Sequence, residues 1–200
     1  MSDESADKAQ AFKDLGLGDS VLKGVIDAGF ETPSDIQEAL IPMALAGKDV
    51  MGQAKTGTGK TAAFGLPILQ MADPEISQQA LILVPTRELA AQVASELDAL
   101  GKHTPIRTTT IIGGESMRHQ SKSLAKGGHI IVGTPGRIMD MQARGQISFE
   151  NMKYVVLDEV DRMLDIGFRE DIRQILSRVR GDHQTIFVSA TLEDEIEKLA

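Results

Sequence analysis

The chain has no cysteine among its 200 residues, which excludes a disulfide framework and any thiolate nucleophile or metal site, and fits a reducing compartment. Its histidines, His103, His119, His129 and His183, are scattered without metal-ligand spacing. No apolar run approaches the length of a membrane span. The opening residues, Ser2-Asp3-Glu4-Ser5-Ala6-Asp7-Lys8, lack a signal peptide's apolar core, so a cytoplasmic chain with no membrane contact is expected. An excess of positive charge is missing too: 21 basic against 29 acidic side chains leave −8, which argues against binding nucleic acid through bulk charge. Any such binding must be local. No internal linker rich in Pro, Gly or Ser divides the chain, and no repeat of the solenoid kind occurs. What is present is a hydrophobic fraction of 42%, ample for the core of one domain.

Residues 1–11 read as a flexible tail, with Phe12 the first large apolar anchor. Helical spacing of Val21, Leu22, Val25 and Ile26 predicts a helix over Ser20 to Ala28, capped by Asp19-Ser20 and stopped at Gly29. A second helix is expected from about Ser34 to Ala46, kinked or broken near Pro42. From there one unit recurs: an apolar β-branched run, a polar or glycine-containing elbow, then a helical stretch. The runs are Leu81–Val84, Thr109–Ile112, Ile130–Val132, Tyr154–Leu157 and Thr185–Val188. Such a pattern predicts an α/β domain, a parallel sheet covered on both faces. The elbows then gather along the carboxyl edge of the sheet, where ligands bind in open parallel sheets.

One elbow has a composition of its own. Ala54-Lys55-Thr56-Gly57-Thr58-Gly59-Lys60-Thr61 follows the strand-like Asp49-Val50-Met51 and leads into a helix start. Glycines let backbone N–H groups curl around an anion, and the next helix points its positive end at the same place. Lys60 then reaches the outer phosphates of a nucleotide and the Thr61 hydroxyl ligates magnesium. The general pattern has Gly where Ala54 stands, and a glycine-rich surface turn is the competing reading. A second elbow, Asp158-Glu159, closes an apolar strand; two adjacent carboxylates there are costly without a cation or hydrogen bonds. Beside a phosphate loop that cation is magnesium, held by Asp158, while Glu159 orients and deprotonates an attacking water. Capping of the following helix is the alternative.

Taken in order, these motifs resemble the first RecA-like domain of a DEAD-box RNA helicase. The set comprises the phosphate loop, Pro85-Thr86-Arg87-Glu88-Leu89-Ala90, Gly113-Gly114, Thr134-Pro135-Gly136-Arg137, Asp158-Glu159-Val160-Asp161 and Ser189-Ala190-Thr191. Upstream stands Gly29-Phe30-Glu31-Thr32-Pro33-Ser34-Asp35-Ile36-Gln37, with the isolated aromatic Phe12 before it. The resemblance runs from Phe12 to the last residues and implies a RecA-like P-loop NTPase fold over 12–200. It implies that the cofactors are ATP and magnesium, that Gln37 reads the adenine edge with paired hydrogen bonds, and that Phe12 or Phe30 packs on the base. Thr56, Gly57, Thr58, Gly59, Lys60 and Thr61 would hold the phosphates, with Thr61 and Asp158 at the metal and Lys60, Asp158 and Glu159 catalytic. Pro85, Thr86, Arg87, Gly113, Gly114, Thr134, Pro135, Gly136 and Arg137 would line the backbone of a single RNA strand, with little sequence specificity. Asp161, Ser189 and Thr191 would couple the two sites. Core anchoring for the phenylalanines, tight turns for the glycines, a salt bridge for Arg87 and a helix cap for Ser189 and Thr191 stay open as alternatives.

Three positions depart from the family pattern. Val160 replaces Ala, which is expected to alter packing and leave activity; Ser34 and Asp35 replace Thr and Pro, which is expected to loosen the turn before Gln37. The resemblance further implies a second RecA-like domain that supplies arginines to the γ-phosphate and the other half of the RNA groove. The amphipathic stretch Leu192 to Ala200 has no Gly or Pro terminator and reads as cut. An ATP-dependent RNA helicase, monomeric, nearly inactive as this half alone, is the expected function; a non-catalytic nucleotide-dependent RNA clamp is the alternative.

Overall fold

The computed structural model describes residues 10–55 and 57–191. Most of the tail expected over 1–11, the amphipathic stretch from Leu192 and the phosphate-loop residue Thr56 lie outside the described residues. Gln10 and Ala11, the last residues of that stretch, lie in a helical turn over residues 10–14 in which Gln10 Nε2 donates to Asp14 Oδ1 at 2.6 Å.

Two helices come first, α1 (Asp19–Asp27) and α2 (Asp35–Leu45). Then β1 (Val50–Gln53), α3 (Lys60–Met71), β2 (Ala80–Leu83), α4 (Arg87–Leu100), β3 (Thr108–Ile111), α5 (Met117–Ala125), β4 (Ile130–Gly133) and α6 (Pro135–Ala143) alternate. The described chain closes with β5 (Tyr154–Asp158), α7 (Val160–Ile166), α8 (Arg169–Arg178) and β6 (Gln184–Ser189). All six strands pair in parallel, in the order β1-β6-β5-β2-β4-β3.

Alternation along the strands divides the core into two layers, because successive side chains leave a strand on opposite faces. Ala80, Ile82 and Val84 of the β2 segment join Ile130, Val132, Val156, Ile186 and Val188 under α1 to α4. Leu81, Leu83, Ile131, Val155, Leu157 and Phe187 face the other way, against Ile138, Met141, Met163, Ile172 and Ile175 of α6 to α8. Burial on both faces is why these strands read as unbroken apolar runs. Val160 is fully buried in the second layer, so its extra bulk over alanine is taken up by packing. Among the described residues no helix is long and apolar enough to cross a membrane.

Three local expectations are corrected. The cap of α1 is Gly18 and not Asp19-Ser20, and no side chain closes it. Helix α2 runs through Pro42 unbroken. Pro42 and Glu38, whose carbonyl loses its i+4 donor, are both exposed, so water can satisfy the carbonyl without a break. The turn before Gln37 is not loosened, because Ser34 caps α2 in a reciprocal box with Gln37.

Helices α1 and α4 meet at Gly24, where any side chain would strike the Leu100 carbonyl. Beside that contact Asp27 accepts from Lys102 Nζ at 2.9 Å and meets His103 Nε2 at 2.9 Å. The Lys102 hydrogen bond, then that of His103, lowers the Asp27 carboxyl from its ordinary 3.8. A carboxyl lowered in the folded state adds stability above its unfolded value and loses it as pH falls through the folded one. Asp27→Asn is therefore expected to lower the melting temperature slightly at neutral pH, the difference from wild type closing as pH falls below 3.8, read by thermal melts across pH. In the core, Leu83→Ala is expected to cost about 2–5 kcal/mol in urea unfolding, since the fully enclosed site leaves a cavity.

Candidate functional site

The phosphate-binding elbow leaves β1 and opens α3. Gly57 and Gly59 hold φ of 81° and 80°, the left-handed region that favours glycine. Ser34 Oγ donates to the Thr58 carbonyl at 2.8 Å and Gln37 Nε2 to the Gly59 carbonyl at 3.1 Å, so α2 ties the loop from outside. The Thr58 hydroxyl donates to the Lys55 carbonyl at 2.8 Å. The first N–H groups of α3 have no intrahelical acceptor, and the helix adds its positive end to them. Lys60 and Thr61, its first residues, are both buried.

Lys60 Nζ lies 3.4 Å from Asp158 Oδ1, an ion pair without hydrogen-bond geometry. Asp158 is only 2% exposed, and its Oδ1 accepts no hydrogen bond among the described residues. Burial pushes the Asp158 carboxyl up, while the Lys60 charge pulls the other way. Next to it Glu159 takes a left-handed backbone, φ 54° and ψ 52°, costing about 1–3 kcal/mol and aiming its side chain into the cleft. Helix capping does not explain this pair, because no side chain caps α7.

These groups line one cleft of about 810 Å³, whose walls include Phe30 and Gln37 as well as Asp158 and Glu159. Gln37 is 1% exposed, and its amide oxygen accepts from the Ser34 N–H at 3.0 Å. Phe30 lines the cleft. Phe12 does not: it is fully buried behind Phe30, the rings edge to face with centroids 6.1 Å apart. An orphaned carboxylate oxygen, a hydroxyl at a helix start and a left-handed glycine cradle fit a nucleotide phosphate with a hard divalent cation.

Three lining residues that no motif contains, Gln92, Glu96 and Arg162, escaped the sequence reading, as did a role in the cleft for Glu88. Arg162 stands 3.3 Å from Glu159 Oε2 at the mouth of the cleft. Glu88, Gln92 and Glu96 come from α4 and form one wall. Their i, i+4, i+8 spacing marks one helix face and was the available signal. Burial raises the Glu96 carboxyl from 4.5, Thr61's hydroxyl opposes the shift and the Asp158 charge adds to it.

The remaining elbows form a strip at the ends of β2, β4 and β3. Arg87 makes no salt bridge among the described residues; its Nη1 donates to the Gly113 carbonyl at 3.0 Å. Arg137 donates from Nη2 to the Glu115 carbonyl at 2.7 Å and from Nε to Gln120 Oε1 at 3.3 Å, and meets Asp140 at 3.6 Å. Arg87, Gly114 and Gly136 are exposed, and Thr86, Gly113 and Arg137 half-buried, whereas Pro85, Thr134 and Pro135 are buried and shape the turns. Thr86 spends its hydroxyl as the cap of α4, accepting from the Leu89 N–H at 3.2 Å.

Between β1, which leads into the phosphate loop, and β5, which ends in Asp158, runs β6. Ser189 Oγ accepts from the backbone N–H of Asp161 at 3.4 Å and donates no hydrogen bond to its carboxylate, and the Ser189 carbonyl accepts from Ala54 N–H at 2.9 Å. Thr191 Oγ1 does reach the Asp161 carboxylate, 3.3 Å from Oδ2.

Comparison with known proteins gives a consistent result. The family model of the DEAD/DEAH box helicase matches residues 34–199. The DEAD-box ATP-dependent RNA helicase CshA of Bacillus cereus is 51% identical over 190 residues, covering 94% of this chain and 36% of the relative. The DEAD-box ATP-dependent RNA helicase RhpA of Helicobacter pylori is 45% identical over 198 residues, covering 99% of this chain and 40% of the relative. The crystal structure of a DEAD box protein from the hyperthermophile Methanococcus jannaschii superposes with a TM-score of 0.92 at 41% identity, covering 95% of this chain and 52% of that one. The chain thus spans well under half the length of these curated relatives.

At Gly59 a side chain would need both an unfavourable φ and the space held by Gln37 Nε2. Gly59→Ala is expected to cost about 1–2 kcal/mol in denaturant unfolding. The cost should fall in a Gln37→Ala background, where the collision is gone, a coupling that a double-mutant cycle reads directly.

Proposed function

The chain belongs to the DEAD/DEAH box helicase family, and on that premise we propose that it is the nucleotide-binding half of an ATP-dependent RNA helicase. The observation that carries the reading is the buried Lys60–Asp158 pair with its orphaned oxygen in a cleft that Gln37 also lines. Gln37 spends one acceptor site on Ser34 and one N–H on Gly59, which leaves one of each for the edge of adenine. Phe30 faces the base, and Phe12 supports it from behind. Gly57, Thr58 and Gly59, with Lys60, hold the phosphates, and Thr61 and Asp158 would hold magnesium, which when bound would neutralise phosphate charge. Glu159 takes the proton of the water that attacks the γ-phosphorus, as the γ-phosphoryl leaves ADP.

On the same reading Arg87, Arg137 and the helix N-termini behind Thr86 and Thr134 hold the phosphates of a single RNA strand, with little sequence preference. Asp161, Ser189 and Thr191 link the strip to the cleft. A second RecA-like domain supplies the arginines that the γ-phosphate lacks here and closes the RNA groove, so duplexes are separated locally by the whole protein. The reading includes a monomeric protein in the cytoplasm. The clamp alternative is disfavoured by the strained, cleft-facing Glu159, which a scaffold has no use for.

Glu159→Gln in the full-length protein is expected to lower RNA-stimulated ATP hydrolysis by at least about 100-fold with nucleotide affinity retained. Hydrolysis surviving that substitution would defeat the assignment. Residues 1–200 alone are expected to bind adenine nucleotide weakly and hydrolyse it at or below detection, because an arginine from a partner domain is worth about 10³–10⁵ in rate. Brisk RNA-stimulated turnover by this piece would show the half-site view to be mistaken.

A further inference from the structure

We infer that Glu96 is a positioning residue of the nucleotide site, holding water molecules of the magnesium hydration shell from the α4 wall of the cleft. The inference rests on the nucleotide reading above and adds a residue that lies outside all the strand-end motifs. Its argument starts from the helix. Ala90, Val93, Ala94, Leu97 and Leu100 bury one side of α4 in the core, which fixes the rotation of the helix about its axis. The cleft then receives Glu88, Gln92 and Glu96, each one helical step of four further along. Glu96, the least exposed of the three, lines the same cleft as Thr61 and Asp158.

The cations of the cleft are already engaged. Lys60 pairs with Asp158 and Arg162 with Glu159, while Glu96 has no cationic partner among the described residues. A half-buried carboxylate facing a second carboxylate is unfavourable until a cation arrives. A separate observation points to where that cation sits: Asp158 Oδ1, 2% exposed as a residue and aimed into the same space, accepts no hydrogen bond. Among the described residues no three acidic or histidine side chains converge closely enough to chelate an ion. Magnesium suits such a place, because it surrenders its waters reluctantly and binds through a few oxygens plus phosphates. Glu96 therefore acts on the water shell and not on the ion, in the way that outer carboxylates orient the ligands of a metal.

The test is a titration of the full-length protein with a fluorescent ADP analogue, in EDTA and across a magnesium series, for wild type, Glu96→Gln, Glu96→Asp and Asp98→Asn. Asp98 is an exposed residue of the same helix and controls for charge. Glu96→Gln is expected to keep the EDTA affinity within about twofold and to need about 10-fold or more magnesium for half of the metal-dependent gain. Glu96→Asp should fall between, and Asp98→Asn should match wild type. An unchanged magnesium midpoint in Glu96→Gln overturns the inference, as does a loss of equal size with and without magnesium, which would mark a structural role. No nucleotide binding by the unsubstituted protein would bring down the nucleotide reading itself.

Discussion

Strands that all run in one direction cannot be joined by tight turns; each must be followed by a crossover that returns the chain to the starting edge. Every crossover between the described strands carries a helix, the first helix after each of β1 to β5 begins at the carboxyl edge of the sheet, and the polar elbows accumulate there as a consequence. The order β1-β6-β5-β2-β4-β3 then sorts them into two groups. The ends of β1, β6 and β5 surround the phosphate loop and Asp158, while those of β2, β4 and β3 carry the arginine strip. Helix α4 belongs to both, since its cap lies in the strip and its polar face lines the cleft.

The cleft holds its charges at a cost. Asp158 is buried with Lys60 beside it at 3.4 Å but without hydrogen-bond geometry, so the pair only partly offsets desolvation. Glu159 adds a left-handed backbone to the same turn. Such strain persists only where surrounding packing over-determines it, and here Val160 and Met163, both fully buried, anchor the turn to the second core layer.

Helix α2 shows how one side chain can serve structure and ligand together. Gln37 completes the capping box of Ser34 and holds the Gly59 carbonyl, yet keeps an acceptor and a donor to spare. Ser34 in turn reaches the Thr58 carbonyl, so the serine that stands where the family has threonine keeps the loop tethered. The sequence reading foresaw a loosened turn because it weighed the lost proline and had no means of seeing the loop carbonyls that Ser34 and Gln37 would find.

Local chemistry alone determined much of this protein. Unbroken apolar runs such as Leu81–Val84 demanded a sheet covered on both faces, and Gly57, Gly59, Lys60 and Thr61 at a strand-to-helix turn demanded an anion site, because strand period and glycine backbone are properties of neighbours in the chain. Tertiary structure decided what depends on residues far apart. It withdrew Phe12 into the core, turned Arg87 from a salt bridge to the Gly113 carbonyl, and let Pro42 sit in an exposed turn of an unbroken helix. It also brought Glu96 and Arg162 into the cleft, which no strand-end motif contains. Their places follow from how α4 and α7 pack against the sheet, and the rotation of a packed helix is set by the whole core it covers.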